Sequence, residues 1–334
     1  MTGPPGCDSQ PAGLTGIGGD KMGHWRWMLG AALVCAAVPA ATETLTVSGS
    51  YPAGNGNIND LISIAVDRFE GEDGSALSQA LEGELTGVRF GGQPYFRVVA
   101  PESGVPTDAL VTGNVRTGVE ESGYTEKRKR CIEQDPADKN KCLKEEEYDL
   151  RCRRRVATVS TNVRLVAMGD GSIRYTRPLS ARDEQTWCPD RKANRTVENF
   201  VDQTIDAQVR TIRYDLAPSG FSDNVRVDEN RKGLPKNAAE AFKNAIRQTK
   251  SDQAGACDSW ATIARDAEPT AALAFNLGLC AEARRDFTAA IDWYGQAQRL
   301  GSKNRDIGEG LTRIDRHRRA LADWDARQQL LAGR

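Results

Sequence analysis

Residues 61–100 constrain the fold more than any other stretch of this sequence. They begin with the apolar run LISIAV, which is short and rich in β-branched side chains, as expected of a buried strand. After a polar turn, six apolar side chains recur at helical spacing: Ala76, Leu77, Ala80, Leu81, Leu85 and Val88. Gly91 and Gly92 end the helix, and residues 95–99 resume as a strand. The order strand, helix, strand indicates a parallel α/β unit, because parallel strands need a crossover connection.

The first 41 residues have the features of an export signal. The apolar run MLGAALVCAAVPAA at 28–41 is too short to span a bilayer, and it follows the basic residues Lys21 and Arg26. Small side chains end the run, so we expect cleavage before Ala41 and interpret 1–41 as a signal peptide. Residues 1–21 are rich in Gly and Pro without a pattern, and we interpret them as an upstream extension with translation starting at Met22.

Two alternatives to simple cleavage stay open. The apolar run can remain as an N-terminal membrane anchor, or it can be a lipoprotein signal that uses Cys35. Lipoprotein signals favour a small residue before the lipidated cysteine, whereas Val34 is bulky. The cleaved signal is therefore the preferred interpretation.

Cysteine content agrees with export. Removing the signal removes Cys7 and Cys35, and it leaves six cysteines: Cys131, Cys142, Cys152, Cys188, Cys257 and Cys280. An even number of cysteines in an exported chain favours disulfides. No stretch after residue 41 is apolar enough for a transmembrane helix. We therefore predict that the mature protein is soluble and lies in an oxidising space outside the cytoplasm.

Residues 153–177 predict an antiparallel hairpin. Apolar and polar side chains alternate over 153–167, and Gly169-Asp170-Gly171 forms the turn. A three-residue loop sets Leu165 opposite Tyr175 and Ala167 opposite Ile173, which keeps one face apolar. The same register sets Cys152 opposite Cys188, so we predict that these two cysteines form a disulfide. Pro178 limits the returning strand to an edge of the sheet or ends it.

A densely charged insertion is predicted at 120–152. Residues 126–155 hold 11 Lys and Arg and 8 Asp and Glu. A basic run such as KRKR can bind nucleic acid or acidic lipid, but the interleaved acids favour a solvated, self-neutralising segment. The net charge of −1 also argues against a polyanionic partner. Cys131 and Cys142 are then expected to close this insertion as a small loop.

The remaining chain is predicted to be a docking helix, a linker and a helical domain. The apolar side chains of 194–216 recur at helical spacing, and Pro218 and Gly220 end that helix. Residues 219–236 are polar without a period and are interpreted as a linker. From 237 to 334 no strand pattern remains, and helices are expected at about 237–250, 254–267, 270–284, 287–300 and 304–331.

Within 271–300 the sequence resembles a tetratricopeptide repeat (TPR). The matching residues are Leu277, Gly278, Ala281, Asp286, Phe287, Ala290, Tyr294 and Ala297. Arg285 and Ser302 depart from the glycine and proline that the family favours there. Shifting by the repeat period sets Ala256 under Ala290 and Trp260 under Tyr294, so about two repeats and a capping helix are expected.

The TPR resemblance implies a further disulfide and a binding groove. Cys257 and Cys280 would lie on adjacent packed helices, within bridging distance. Phe275, Leu279 and Glu282 would line a concave surface for a protein or peptide partner. The alternative, that Phe275 and Leu279 are ordinary core residues, stays open.

The front half resembles the curli secretion channel family (CsgG) and its relatives, which include the peptidoglycan-synthase activator lipoproteins (LpoB). The matching segments are ISIAVDRF at 62–69, the helix at 75–85, FRVV at 96–99, TGNV at 112–115, the hairpin at 159–175 and DLAP at 215–218. The resemblance implies a compact α/β domain over 42–218 in the periplasm or at the outer membrane. The charged insertion lacks an alternating apolar face, so pore formation does not follow.

We therefore expect a mixed-sheet α/β domain followed by an all-α TPR-like domain. After the signal the chain has a single histidine, His317, which argues against histidine-based catalysis and metal binding. The first four cysteines lack the closely spaced pairs of zinc sites, and no phosphate loop occurs. Neither a cofactor nor a nucleic-acid partner is expected. The preferred function is a non-catalytic envelope scaffold or assembly factor. A subunit of an outer-membrane secretion ring and an Asp/Glu-dependent hydrolase are the alternatives, and self-association stays open.

Overall fold

The structure, a computed structural model, describes residues 43–333. The predicted signal peptide and upstream extension lie outside the described residues. In chain order the elements are β1 (Thr44–Tyr51), β2 (Ser63–Val66), α1 (Gly74–Gly87), β3 (Arg89–Phe90), β4 (Gln93–Pro94), β5 (Arg97–Val98), β6 (Ala109–Gln134), β7 (Cys142–Ala167), β8 (Ile173–Trp187), α2 (Val197–Leu216), β9 (Ser219–Arg226), α3 (Lys236–Gln248), α4 (Gln253–Asp266), α5 (Ala271–Ala283), α6 (Phe287–Arg299) and α7 (Asp306–Ala332). Within 43–333, none of the helices is long and apolar enough to cross a membrane.

A five-stranded mixed sheet has the strand order β5-β2-β6-β7-β8. Strand β2 is parallel to β5 and β6, as the strand–helix–strand pattern predicts, and β6, β7 and β8 are antiparallel. Helices α1 and α2 bury their apolar stripes in the same core as the inward side chains of the sheet. The mixed α/β fold is thus confirmed.

The register of the β7–β8 hairpin is the predicted one except at its turn. Leu165 pairs with Tyr175, and the same register continues to Arg153 opposite Trp187. A bulge after Leu165 then sets Ile173 opposite Val166 instead of Ala167. Ile173 is therefore 56% exposed, and the apolar face ends one pair earlier than predicted. β8 is an edge strand, which accommodates Pro178.

The first eight residues of the predicted linker form a strand instead. β9 pairs antiparallel with β1 over its whole length, from Thr44 opposite Arg226 to Tyr51 opposite Ser219. Only Val225 among its side chains is fully buried. A strand with one buried side chain has no apolar alternation, which is why the sequence pattern predicts a linker there.

Five helices follow β9, at the positions that the sequence predicts. Side-chain oxygens accept backbone N–H groups at three of their starts: Asp252 from Gly255, Thr270 from Leu273 and Asp286 from Ala289. Their apolar faces form a second core that also includes Leu45 and Val47 of β1 and Val225 of β9. The first strand of the described region, β1, therefore packs with the helices.

The last helix, α7, contributes side chains to both cores. Ile307 and Ile314 of α7 belong to the helical core, whereas Ala320 is buried in the core of the sheet, with Trp324 packed against it. Residues 43–333 accordingly belong to one compact unit that has two cores. β1, at the start of the described region, packs in the helical core, and α7, at its end, packs in both cores. Each core is therefore built from segments that are not contiguous in sequence.

His317 lies where the β1–β9 ribbon meets the helices. Its Nδ1 accepts the Ser50 backbone N–H at 2.8 Å, and its ring packs against Phe221 and Phe287. The ring approaches the ribbon so closely that a Cβ at Gly49 would lie 1.9 Å from Nδ1. Burial, with a smaller contribution from the charge of Arg285, lowers the pKa of His317 below its ordinary value.

This lowered pKa gives an expected pH dependence. The unfolded chain takes up the proton more readily, so the contribution of His317 to stability is complete at pH 7. That contribution is lost as the pH falls from about 6.5 toward the folded-state pKa. The loss should be about 1 kcal/mol, the size of one hydrogen bond. Denaturant unfolding of wild type and His317→Gln from pH 7.5 to 5 checks this, because the variant should show a flatter profile. Parallel profiles would contradict the assignment.

Candidate functional site

Beyond the sheet, β6 and β7 continue as a two-stranded projection. β8 accompanies β7 only as far as Arg153, while β6 and β7 pair with each other to Gln134 opposite Cys142. We call residues 124–152 the arm, from the pair Tyr124 and Cys152 outward. Every side chain from 124 to 151 is exposed or half-buried. The arm therefore adds nothing to either core.

The charged insertion is thus a strand pair and not the small loop that the sequence predicts. The cause lies in its charges, which complement each other across the strands. Lys127 pairs with Asp149, Lys129 with Glu147 and Arg130 with Glu146. Opposite charges on facing strand positions are mildly stabilising, so a polar ladder can form without an apolar face.

Charge is segregated between the two strands of the arm. β6 carries the basic run 127–130, whereas β7 carries Glu145, Glu146, Glu147 and Asp149. The ion pairs Lys129–Glu145 at 3.3 Å and Arg130–Glu146 at 2.6 Å join the strands. Within the arm β6 consequently has a net positive charge and β7 a net negative charge, although Glu126 lies on β6 and Lys144 and Arg151 lie on β7.

Both arm edges lack a neighbouring strand in the described part of the chain. β2 covers β6 only over Ala109–Val111, and an isolated bridge joins Glu70 to Asn114. β8 covers β7 only from Arg153 onward. Backbone groups along such edges are available to another extended chain.

The base of the arm is tied to the body by charge and by a disulfide. The Arg128 guanidinium contacts Glu126 at 2.8 Å and Asp190 at 2.7 Å. These hydrogen bonds raise the pKa of Arg128, and Arg128 in turn holds the pKa of Asp190 below its usual value. The Cys152–Cys188 disulfide lies beside this cluster, so the arm begins from a fixed base.

The structure contains the three disulfides that the sequence predicts. Their Cα–Cα distances are 5.7 Å for Cys131–Cys142, 4.1 Å for Cys152–Cys188 and 5.6 Å for Cys257–Cys280. The first holds the tip of the arm, the second its base, and the third joins α4 to α5. Such bridges are typical of proteins exported to an oxidising compartment, which supports the predicted location.

Glu126, Cys152 and Cys188 bring potential metal-ligand atoms within 4.8 Å of one another. Both sulfurs are already bonded in the disulfide, and thiolates are the form in which cysteines bind metals. This group therefore does not fit a metal ion.

The predicted partner groove is buried. Phe275 and Leu279 are 0% exposed and Glu282 is 5% exposed. β1, α4, α6 and α7 all pack against α5, so its side chains are enclosed on all sides. The prediction of an open groove at these residues is corrected accordingly, and Phe275 and Leu279 are core residues, as the alternative interpretation has it.

Glu282 has a structural partner at this buried position. Its carboxylate accepts two hydrogen bonds from Arg313 at 2.8 and 3.0 Å and one from the Tyr294 hydroxyl at 2.6 Å. Burial and the Glu282 charge raise the pKa of Tyr294 above its usual range, so Tyr294 remains a donor. The cluster joins α5, α6 and α7.

The arm charges are expected to contribute little to stability. Replacing Arg130 or Glu146 by alanine should change the free energy of unfolding by less than about 1 kcal/mol, because both side chains are exposed to water and salt. Urea titration of each variant checks this. A loss well above that size would show that this single ion pair, and not the sum of many weak pairs, holds the arm.

Comparisons with known proteins add little. No family model and no curated protein matches the chain. The solved structures include a PelC dodecamer from Paraburkholderia phytofirmans, with 12% identity, coverage of 52% of this chain and 99% of that one, and a TM-score of 0.23. A protein from Helicobacter pylori assigned as a neuraminyllactose-binding hemagglutinin homolog has 11% identity, with coverage of 50% of this chain and 88% of that one, and a TM-score of 0.29. A protein from Caulobacter crescentus CB15 assigned as a lipoprotein has 13% identity, with coverage of 46% of this chain and 86% of that one, and a TM-score of 0.23. Scores this low do not establish a common fold, so function is argued from the residues of this chain.

Proposed function

We propose that this chain is an exported, non-catalytic scaffold or assembly factor of the cell envelope that binds protein partners through its arm. The observation that carries the proposal is the arm itself. It projects from the sheet with two open edges, has no fully buried side chain between 124 and 151, and is held by disulfides at base and tip. A projection that contributes to neither core and is nevertheless cross-linked at its base and tip is suited to contact another molecule.

The edges favour recognition by strand addition. An extended partner segment can hydrogen-bond to the free backbone of an edge strand, and side chains along that edge select the partner. Lys127 and Lys129 of β6 favour an acidic segment, whereas Glu145 and Glu147 of β7 favour a basic one. The same charges discourage pairing with unselected apolar strands.

We also propose that the front part is a domain of the curli secretion channel type and that α3–α6 are two TPR-like repeats. Supporting the repeats, Ala256 and Ala290 are both 0% exposed, and so are Trp260 and Tyr294. Equivalent positions of the two helix pairs thus have equivalent burial. Because other elements of the chain pack against α5, the concave surface of the repeats is not open to a partner. The repeats therefore have a structural role here.

Photo-crosslinking in cells tests the arm as the binding element. A photoreactive residue at Lys127, Leu143 or Glu147, all exposed, should give adducts with another protein. Matched positions on the body, Glu84 of α1 and Asp292 of α6, are also exposed and should give few. Equal adduct yields at arm and body positions would contradict the proposal.

A second candidate, a ring subunit, is favoured by the charge segregation of the edges. The basic edge of one copy complements the acidic edge of the next, and such a head-to-tail contact generates a ring when the rotation closes. In this case the arm partner is another copy of the chain.

Light scattering of the purified mature chain distinguishes the two candidates. The ring predicts a multiple of the monomer mass, which Lys127→Glu with Lys129→Glu should abolish. Mixing that variant with Glu145→Lys and Glu147→Lys should then restore association through the reversed edges. A monomer under all these conditions would rule out the ring and leave a different protein as the partner.

A further inference from the structure

The disulfide at the arm tip differs from the other two in its accessibility. Cys131 and Cys142 are both exposed. The other four cysteines among residues 43–333 are at most 5% exposed. Every bridge has its cysteines in or directly beside a strand or helix, so the difference lies in burial and position. The tip bridge lies at the end of a projection, where approach from most directions is open.

Most of the backbone pairing of the arm lies between this bridge and the sheet. Regular pairing runs to Cys131 opposite Glu145, and the register shifts on either side of Glu133. The bridge closes residues 132–141 beyond that point. Opening it would release the tip and leave the paired strands from Tyr124 to Arg130 in place.

We propose that the Cys131–Cys142 disulfide is a thiol-exchange site for an external protein dithiol. A thiolate of that dithiol attacks one of the two sulfurs, the Cys131–Cys142 bond breaks, and the other sulfur leaves as a thiolate. The second thiol of the partner then attacks the mixed disulfide. The partner ends as a disulfide, and Cys131 and Cys142 end as two thiols. The reverse sequence oxidises the tip again.

Two features of the chain favour exchange at this place. Access of the attacking thiolate controls which disulfide reacts, and exposed bridges are the labile ones. Lys144 lies two residues after Cys142, and its positive charge favours a departing thiolate, whereas the neighbouring Lys141 is paired with Asp135 at 3.5 Å. The buried bridges can react only after local opening of the fold, which slows them.

Timed reduction of the native, oxidised protein tests the proposal. Dithiothreitol is added, samples are alkylated with iodoacetamide, and the six cysteines are followed by peptide mass spectrometry. Cys131 and Cys142 should become alkylated together, on the order of 100-fold faster than the other four. Comparable rates for the three bridges, or slower reaction at the tip, would overturn the proposal.

A trapping experiment tests the exchange step with a protein dithiol. A thioredoxin-type protein that lacks its resolving cysteine should form a covalent adduct at Cys131 or Cys142. A Cys131→Ser with Cys142→Ser variant, which keeps the buried bridges, should form none. Absence of the adduct with wild type, or its formation at another cysteine, would contradict the proposal. The outcome is independent of what the arm binds, so it stands apart from the proposed function.

Discussion

Replacing Glu282 by glutamine should destabilise the protein by about 3–5 kcal/mol. The change leaves the Arg313 guanidinium buried, with 7% of its side chain exposed, and without a counter-charge. Uncompensated charge in a buried position is costly because water cannot solvate it. Urea unfolding followed by circular dichroism measures the loss. A change of less than about 1 kcal/mol would contradict the burial of this pair.

An exposed pair and a joint replacement provide matched controls. Asp315 and Arg319 lie on the same helix as Arg313 and form an ion pair with each other at 2.7 Å. Their side chains are 68% and 62% exposed. Asp315→Asn should therefore cost less than about 1 kcal/mol. Replacing Glu282 by Leu, Arg313 by Met and Tyr294 by Phe together should recover most of the stability, because no buried polar group is left without a partner.

Replacing Arg327 by alanine should cost about 3 kcal/mol and loosen the end of α7. Arg327 is 1% exposed, and its guanidinium donates to the Tyr95 carbonyl at 2.6 and 3.1 Å and to the Asn59 carbonyl at 3.1 Å. It also lies 4.2 Å from the Tyr95 ring centroid. The variant loses these bonds and leaves carbonyls of the sheet domain without their donor. Denaturant unfolding measures the cost.

Hydrogen exchange gives a readout specific to the docking of α7. Amides of 324–332 should exchange much faster in the Arg327→Ala variant, whereas those of 306–320 should keep their protection, since Ile307 and Ile314 remain in the helical core. Arg316→Ala is the control on the same helix. Arg316 is exposed and lies over the Tyr51 ring, so its removal should cost at most about 1 kcal/mol. Equal effects of the two variants would contradict the anchoring role of Arg327.

Periodic segments could be predicted from sequence because their burial is regular. The apolar stripe of α2 and the alternation of apolar and polar side chains in β7 each indicate that one side of the element packs against the core. The Cys152–Cys188 bridge followed from the same regularity, because the hairpin register that buries Leu165 beside Tyr175 also sets the cysteines opposite each other.

Segments with few buried side chains could not be predicted in this way. β9 buries only Val225 among its side chains, and the strands of the arm bury none between 124 and 151. The signal for the arm was present in its charges, since basic residues on one side of the tip face acidic residues on the other. Reading that complementarity as a strand pair would have found the arm.

The buried groove residues illustrate a limit of a different kind. The geometry of an isolated repeat predicts that Phe275, Leu279 and Glu282 line a groove. The helix that carries them, α5, also packs against β1, more than 200 positions earlier in the chain, and against α7. Contacts between segments so far apart in sequence do not affect the local spacing of apolar residues, so the burial of these residues could not be predicted from that spacing.

The central claim is that the arm is the binding element and the rest of the chain its frame. It is tested most directly by the size of the native complex in gently solubilised envelopes. The measurement compares wild type with a variant in which Asn-Gly joins Tyr124 to Cys152, a turn suited to a two-residue hairpin. We expect the wild type in a complex larger than the monomer. The shortened variant should keep its folded circular dichroism spectrum and migrate as a monomer. A shortened variant that stays in the complex, or a wild type that is monomeric, would contradict the claim.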